Sequence, residues 1–88
     1  MVNRVAVLGA GSWGTTIAAL LTPVVPTVLW ARRTELVDDL NAGRGNQRYL
    51  PGFDLPSDLA ATADLDEATS EADLVMVAVP TRGFRVAH

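Results

Sequence analysis

A strand, a glycine turn and a helix follow one another without interruption at the front of this chain, and that order restricts the fold more than any other feature. Val2 to Leu8 is a short apolar run with β-branched residues, read as a strand buried on both faces. Gly9-Ala10-Gly11-Ser12-Trp13-Gly14 comes next, and from Ser12 to Thr22 the pattern turns helical. Trp13, Ile17, Leu20 and Leu21 fall at i, i+4, i+7 and i+8, which predicts one stripe facing a sheet. Pro23 and Pro26 stop the helix, since neither can continue its hydrogen-bond ladder.

The rest of the chain repeats the alternation. Thr27 to Ala31 reads as a second apolar strand. Thr34 is expected to cap the next helix, with Glu35 in its first turn, Asp38 just beyond, and Leu36, Val37 and Leu40 on its buried side. Gly43 ends it. From Arg44 to Ser57 the pattern dissolves into Gly, Pro, Asn and Asp, and a connection of that length inside a compact domain is often functional. Leu59 to Thr62 is a short third strand. Asp64 to Ala72 is a short helix with Leu65 and Ala68 inward. Leu74 to Val79 is the strongest strand of all, closed by Pro80; it lacks polar alternation, so both its faces should be covered.

The order β-α-β-α-β-α-β implies right-handed crossovers and an α/β fold, a Rossmann-type parallel sheet. Eighty-eight residues make one small domain that buries only about 60–65% of its unfolded surface. Thr81 to His88 are too few to supply another strand with its helix, so residues 1–88 are expected to be the front part of a dinucleotide-binding domain. Left uncovered, the last strand would be an aggregation hazard.

Each glycine of the turn has a physical task. Gly9 permits the tight exit from the strand, Gly11 lets the backbone approach a pyrophosphate, and Gly14 allows close helix–strand packing. The helix that follows offers free N–H groups and a partial positive charge to phosphates. Three glycines at this spacing are weak evidence alone; placed between an apolar strand and an amphipathic helix they point to dinucleotide binding. Ser12 can donate its hydroxyl to a phosphate oxygen, or it is an ordinary helix-start serine. Trp13 has two compatible readings: a plug for the sheet–helix interface, or a ring bordering the nicotinamide half of the ligand.

Beyond the second strand, an NAD-preferring site would place an Asp or Glu to accept from the adenosine ribose hydroxyls. Here Arg32 and Arg33 stand instead, and the first acid is Glu35. A guanidinium pair at a strand tip can hold a 2′-phosphate and stack on adenine; the alternative is a pair of solvated loop arginines. NADP is favoured, without excluding NAD. Charge follows the same division: residues 1–34 carry +3 and residues 35–88 carry −6, for a net charge of −3. The positive third is the one with the glycine turn, which suits an anionic ligand.

Other partners and chemistries are poorly supported. Seven scattered arginines without aromatic interleaving do not resemble a nucleic-acid surface. No apolar run approaches the ~18 residues of a membrane span, and no secretory signal opens the chain, so a cytoplasmic location is expected. With no cysteine there is neither a disulfide framework nor a thiolate metal site, and no metal is expected. The chain has no lysine, and its one histidine is the terminal His88. Proton transfer on an alcohol or ketone usually needs such a group, so no catalytic residue is assigned within this stretch. Asp66, Glu67 and Glu71 read as a solvated helix face.

Several blocks in order extend this reading: Val7-Leu8-Gly9-Ala10-Gly11-Ser12-Trp13-Gly14-Thr15, Leu29-Trp30-Ala31-Arg32-Arg33, Asn46 through Tyr49-Leu50-Pro51-Gly52, Ala61-Thr62-Ala63-Asp64, and Val77-Ala78-Val79-Pro80 with Phe84-Arg85. In these blocks the chain resembles the N-terminal end of NAD(P)-dependent glycerol-3-phosphate dehydrogenase of the bacterial type. The resemblance implies reversible hydride transfer between NAD(P)H and dihydroxyacetone phosphate, forming sn-glycerol 3-phosphate for phospholipid synthesis. It implies cofactor contacts from the residues matching Ser12, Trp13, Arg32 and Arg33, with Tyr49 near the cofactor on the long loop and Phe84 flanking the nicotinamide side. It also implies that the catalytic lysines, the ligands of the small phosphorylated substrate and a helical second domain lie outside this chain. A homodimer of the full-length protein is compatible with the reading. Thr22-Pro23-Val24-Val25-Pro26 stands where the family usually has a polar Gly-containing turn, and should shorten the first helix and stiffen its exit.

Two other readings stay open on the residues. A related dehydrogenase of another phosphorylated substrate would share the front end, although the Tyr-Leu-Pro-Gly loop argues against it. A stand-alone dinucleotide-binding or sensing module would need no acid–base group.

Overall fold

The structure is a computed structural model and describes residues 2–47, 51–52 and 54–78. Four strands and three helices alternate: β1 (Val5–Leu8), α1 (Ser12–Leu21), β2 (Thr27–Trp30), α2 (Thr34–Asn41), β3 (Ala60–Thr62), α3 (Leu65–Ser70) and β4 (Leu74–Val77). The strands form one parallel sheet in the order β3-β2-β1-β4. The reversal of direction beside β1 is the switch point at which doubly wound sheets bind ligands, beyond the carboxyl ends of the strands. The expected order of elements is therefore present, with boundaries shorter by one to three residues at several ends.

Period-two alternation divides β1 between two cores. Val5 and Val7 pack with Leu29 of β2 beneath Ala18 of α1 and Leu36, Val37 and Leu40 of α2. Ala6 and Val28 face the other way, against Ala68 of α3. Trp30 seals that second face, its indole Nε1 donating to the Ala63 carbonyl at 3.1 Å. Removing the fully buried Leu29 side chain would cost about 2–5 kcal/mol.

Side-chain polar groups finish the sheet where strands are short. The Asn41 amide donates to the Ala61 carbonyl at 2.9 Å and accepts from the Ala61 amide at 3.0 Å, standing in for a neighbour along edge strand β3. The Asp73 carboxylate accepts from the Asn3 and Arg4 amides at 2.7 and 3.1 Å, so it clips the run-in to β1 onto β4. α1 ends at Leu21, just ahead of Pro23, while Pro26 lies directly before β2. The Val24 and Val25 amides both donate to the Leu21 carbonyl at 2.9 Å, and the Pro26 carbonyl accepts from the Val5 amide at 2.9 Å. The unusual exit therefore delivers β2 into register.

Four side-chain expectations are corrected. Trp13 and Leu20 do not face the sheet; they are 68% and 71% exposed, and Gly14, Thr15 and Ala18 are buried in their place. The helix turns its smallest residues to the strands because that permits the closest approach, and only Ile17 and Leu21 of the expected stripe pack partly on the core. Thr34 does not cap α2: the cap position is Arg33, and no side chain bonds there. Leu65 points outward at the start of α3, whereas Ala68 is buried. Finally, β4 is not covered on both faces by the described residues, since Leu74, Val75 and Val77 are exposed among them.

Candidate functional site

The site forms where β1 ends. The Gly9 amide donates to the Trp30 carbonyl at 2.9 Å, so the turn leaves the strand while still tied to β2. Gly9 takes φ of 113°, a conformation that a side chain would strain. A Cβ at Gly14 would collide with the Gly9 carbonyl oxygen and press on Ala78 Cβ at 3.1 Å. Only hydrogen fits where α1 crosses its own strand.

Gly11 is the opposite case. A Cβ built there meets nothing within 4 Å. The absent side chain thus leaves open space above the turn, which is the room a pyrophosphate needs to reach the backbone. Gly11 also caps α1 in extended conformation, and the first helical bond runs from the Thr15 amide to the Gly11 carbonyl at 3.0 Å. The amides of Ser12, Trp13 and Gly14 consequently have no helical acceptor. No acidic residue occupies the first turn to compete for an anion.

The remaining expected groups ring this mouth or lie outside it. Ser12 is the first helical residue and exposed; its carbonyl accepts from the Thr16 hydroxyl at 2.7 Å, and its own hydroxyl has no partner among the described residues. Trp13 lies beside it on the surface, so it does not plug the interface. Arg32 and Arg33 are exposed just past β2, the strand adjacent to β1, and neither guanidinium has a hydrogen bond or ion pair among the described residues. The ion pair the structure does show, Arg44 with Asp39 at 2.8 Å, is at the surface near the end of α2. Tyr49 and Phe84 lie outside the described residues.

Cavities elsewhere do not compete for the role. One of about 350 Å³ sits between the end of α2 and the following loop, beside Asn41, Arg44 and Asp54. Another, of about 640 Å³, opens at the opposite end of the sheet beside Val5, Leu21, Val25 and Leu74. Neither touches the glycine turn. Among the described residues no cluster of His, Asp or Glu could hold a metal ion, and no helix is long and apolar enough to cross a membrane.

One contributor escaped the sequence reading. Asn46, noted there only as the first residue of a loop motif, is completely buried and hydrogen-bonded to the turn. The signal available was an amide residue inside a Gly-rich connection, which by itself says turn rather than contact.

Comparison with known proteins agrees with this geometry. Residues 4–88 match the family model for the NAD-dependent glycerol-3-phosphate dehydrogenase N-terminus. The chain is 46% identical over 82 residues to "Glycerol-3-phosphate dehydrogenase [NAD(P)+] 2" of Sphingopyxis alaskensis, covering 93% of this chain and 25% of that protein. It is 52% identical over 83 residues to "Glycerol-3-phosphate dehydrogenase [NAD(P)+]" of Thermus thermophilus, covering 93% and 26%. Its fold superposes on the crystal structure of glycerol-3-phosphate dehydrogenase from Coxiella burnetii with a TM-score of 0.78 at 35% identity, covering 89% of this chain and 24% of that one. The chain thus spans about a quarter of the length of the relatives it matches.

Proposed function

Because the chain belongs to the NAD-dependent glycerol-3-phosphate dehydrogenase N-terminal family, we propose that residues 1–88 are the front part of an NAD(P)-binding domain. The full-length protein then interconverts dihydroxyacetone phosphate and sn-glycerol 3-phosphate. The space left open at Gly11, the N-cap of α1, is the observation that carries this reading.

Gly9, Gly11 and Gly14 shape the cradle, and the amides at the start of α1 donate to the pyrophosphate, joined by the Ser12 hydroxyl. The exposed Trp13 ring is assigned to the nicotinamide half, and Tyr49 is assigned as a further cofactor-binding residue. Arg32 and Arg33 take the adenosine end, where their charge favours a 2′-phosphate and so NADP over NAD. When bound, the nicotinamide supplies the hydride to the substrate carbonyl carbon or takes it back from the alcohol. This chain's part is to orient that ring. The proton donor, the groups that hold the substrate phosphate and a helical substrate domain are assigned to the rest of the full-length protein. Its product would feed phospholipid synthesis.

Calorimetric titration of the full-length protein with NADPH and NADH, followed by an assay of NADPH oxidation with dihydroxyacetone phosphate, tests the proposal. Binding with turnover is the expected result. Binding without turnover would favour a sensing module, and no dinucleotide uptake by folded protein would end the reading.

A further inference from the structure

Asn46 is distant from the glycine turn in sequence but touches it in space. Its side chain is fully buried in the connection between α2 and β3, an unusual place for an amide. Its Nδ2 donates to the Ala10 carbonyl at 2.9 Å and to the Thr15 hydroxyl at 2.8 Å. The Thr15 hydroxyl in turn donates to the same Ala10 carbonyl at 3.3 Å. A carbonyl can only accept, so the nitrogen of the Asn46 amide must be the atom that faces it.

The Ala10 carbonyl shares its peptide unit with the Gly11 nitrogen. No described peptide bond is cis, and in a planar trans unit the C=O and N–H point in opposite directions. Two buried donors that hold the carbonyl toward the interior therefore hold the Gly11 amide away from it, on the open side of the turn. That orientation would otherwise be weakly determined. Gly11 has no Cβ, so its backbone is less restricted than that of other residues.

We propose that Asn46 is a positioning residue for dinucleotide binding: through the Ala10 carbonyl it locks the 10–11 peptide so that the Gly11 amide is presented to the pyrophosphate. This rests on the reading of the turn as a pyrophosphate cradle. Thr15 is the second half of the lock, and the long connection is thereby tied to the site.

The test uses the full-length protein with Asn46→Leu, which removes the donor at similar size, and Thr15→Val beside Thr15→Ser. NADPH and NADH affinities are measured by calorimetry, and the Gly11 amide is followed by NMR with glycine-selective labelling. Asn46→Leu should weaken both cofactors alike by about tenfold, and its Gly11 amide signal should broaden or double. Thr15→Val should lose affinity in the same direction by a smaller factor, and Thr15→Ser, which keeps the hydroxyl, should restore it. Should Asn46→Leu fail to fold, Thr15→Val against Thr15→Ser carries the same expectation. Unchanged affinity in a folded variant overturns the inference, and so does lost affinity with an unaltered Gly11 signal. Wild-type protein that takes up no dinucleotide would overturn the cradle itself, which is a different failure.

Discussion

The glycine turn and the arginine pair stand at the tips of adjacent strands, yet they are built in opposite ways. The turn is determined several times over: by the Gly9 amide on Trp30, by the collision that forbids a side chain at Gly14, and by the Asn46 and Thr15 donors on Ala10. Arg32 and Arg33 are exposed, and their guanidiniums have no partner among the described residues. A turn already in place gives up little conformational freedom when an anion arrives. A free arginine loses up to roughly 2 kcal/mol of rotamer entropy. On the proposed reading, the pyrophosphate side would supply affinity common to both cofactors, and the exposed arginine side whatever distinguishes them.

The contrast can be broken most severely at Gly14. Gly14→Ala should force α1 off the strand, costing about 3 kcal/mol of stability and abolishing measurable cofactor uptake. Thermal unfolding with calorimetry would show both, and a native-like variant that binds normally would refute the steric account. Arg32→Ala combined with Arg33→Ala comes second. Loss of charge-assisted contacts of about 1.5–3 kcal/mol should weaken NADPH roughly ten- to a hundredfold and NADH far less, with no change in melting temperature. Equal losses for the two cofactors would show that the pair does not read the 2′-phosphate.

Smaller changes sharpen the boundary between support and recognition. Trp30→Phe removes the indole donor to Ala63 one residue before the loop, and should cost about 0.5–1.5 kcal/mol in denaturant unfolding. The NADPH-to-NADH preference should stay as it was; a shifted preference would mean that the arginine loop depends on the strand beneath it after all. Leu20→Gln, on the exposed side of α1, should change stability by no more than about 0.5 kcal/mol. A loss of several kcal/mol would restore the face that periodicity alone had suggested.

How legible each part was depended on the range of the interaction responsible. The strands and the turn could be read because their signals are local: β-branched runs, proline stops, and glycines at a fixed spacing. The apolar stripe of α1 was misread because periodicity counts hydrophobicity, whereas the helix packs by closeness, and Gly14 and Ala18 approach the sheet where Trp13 and Leu20 could not. Thr34 was misread by a single position, since Arg33 supplies the extended cap geometry without a side-chain bond. Leu65 followed from hydrophobicity at the start of a helix that has room for only one inward residue, Ala68.

The amino-acid order alone determined the alternating elements, the glycine turn at the mouth of α1 and the positive charge beside it, because each depends on residues a few positions apart; the alternation in turn implied a parallel sheet. Tertiary structure alone decided that Asn46 reaches Ala10, that Asn41 completes edge strand β3, and that Asp73 clips the run-in to β1. Those are single polar contacts between segments 20 to 70 residues apart, visible only once packing has brought the partners together.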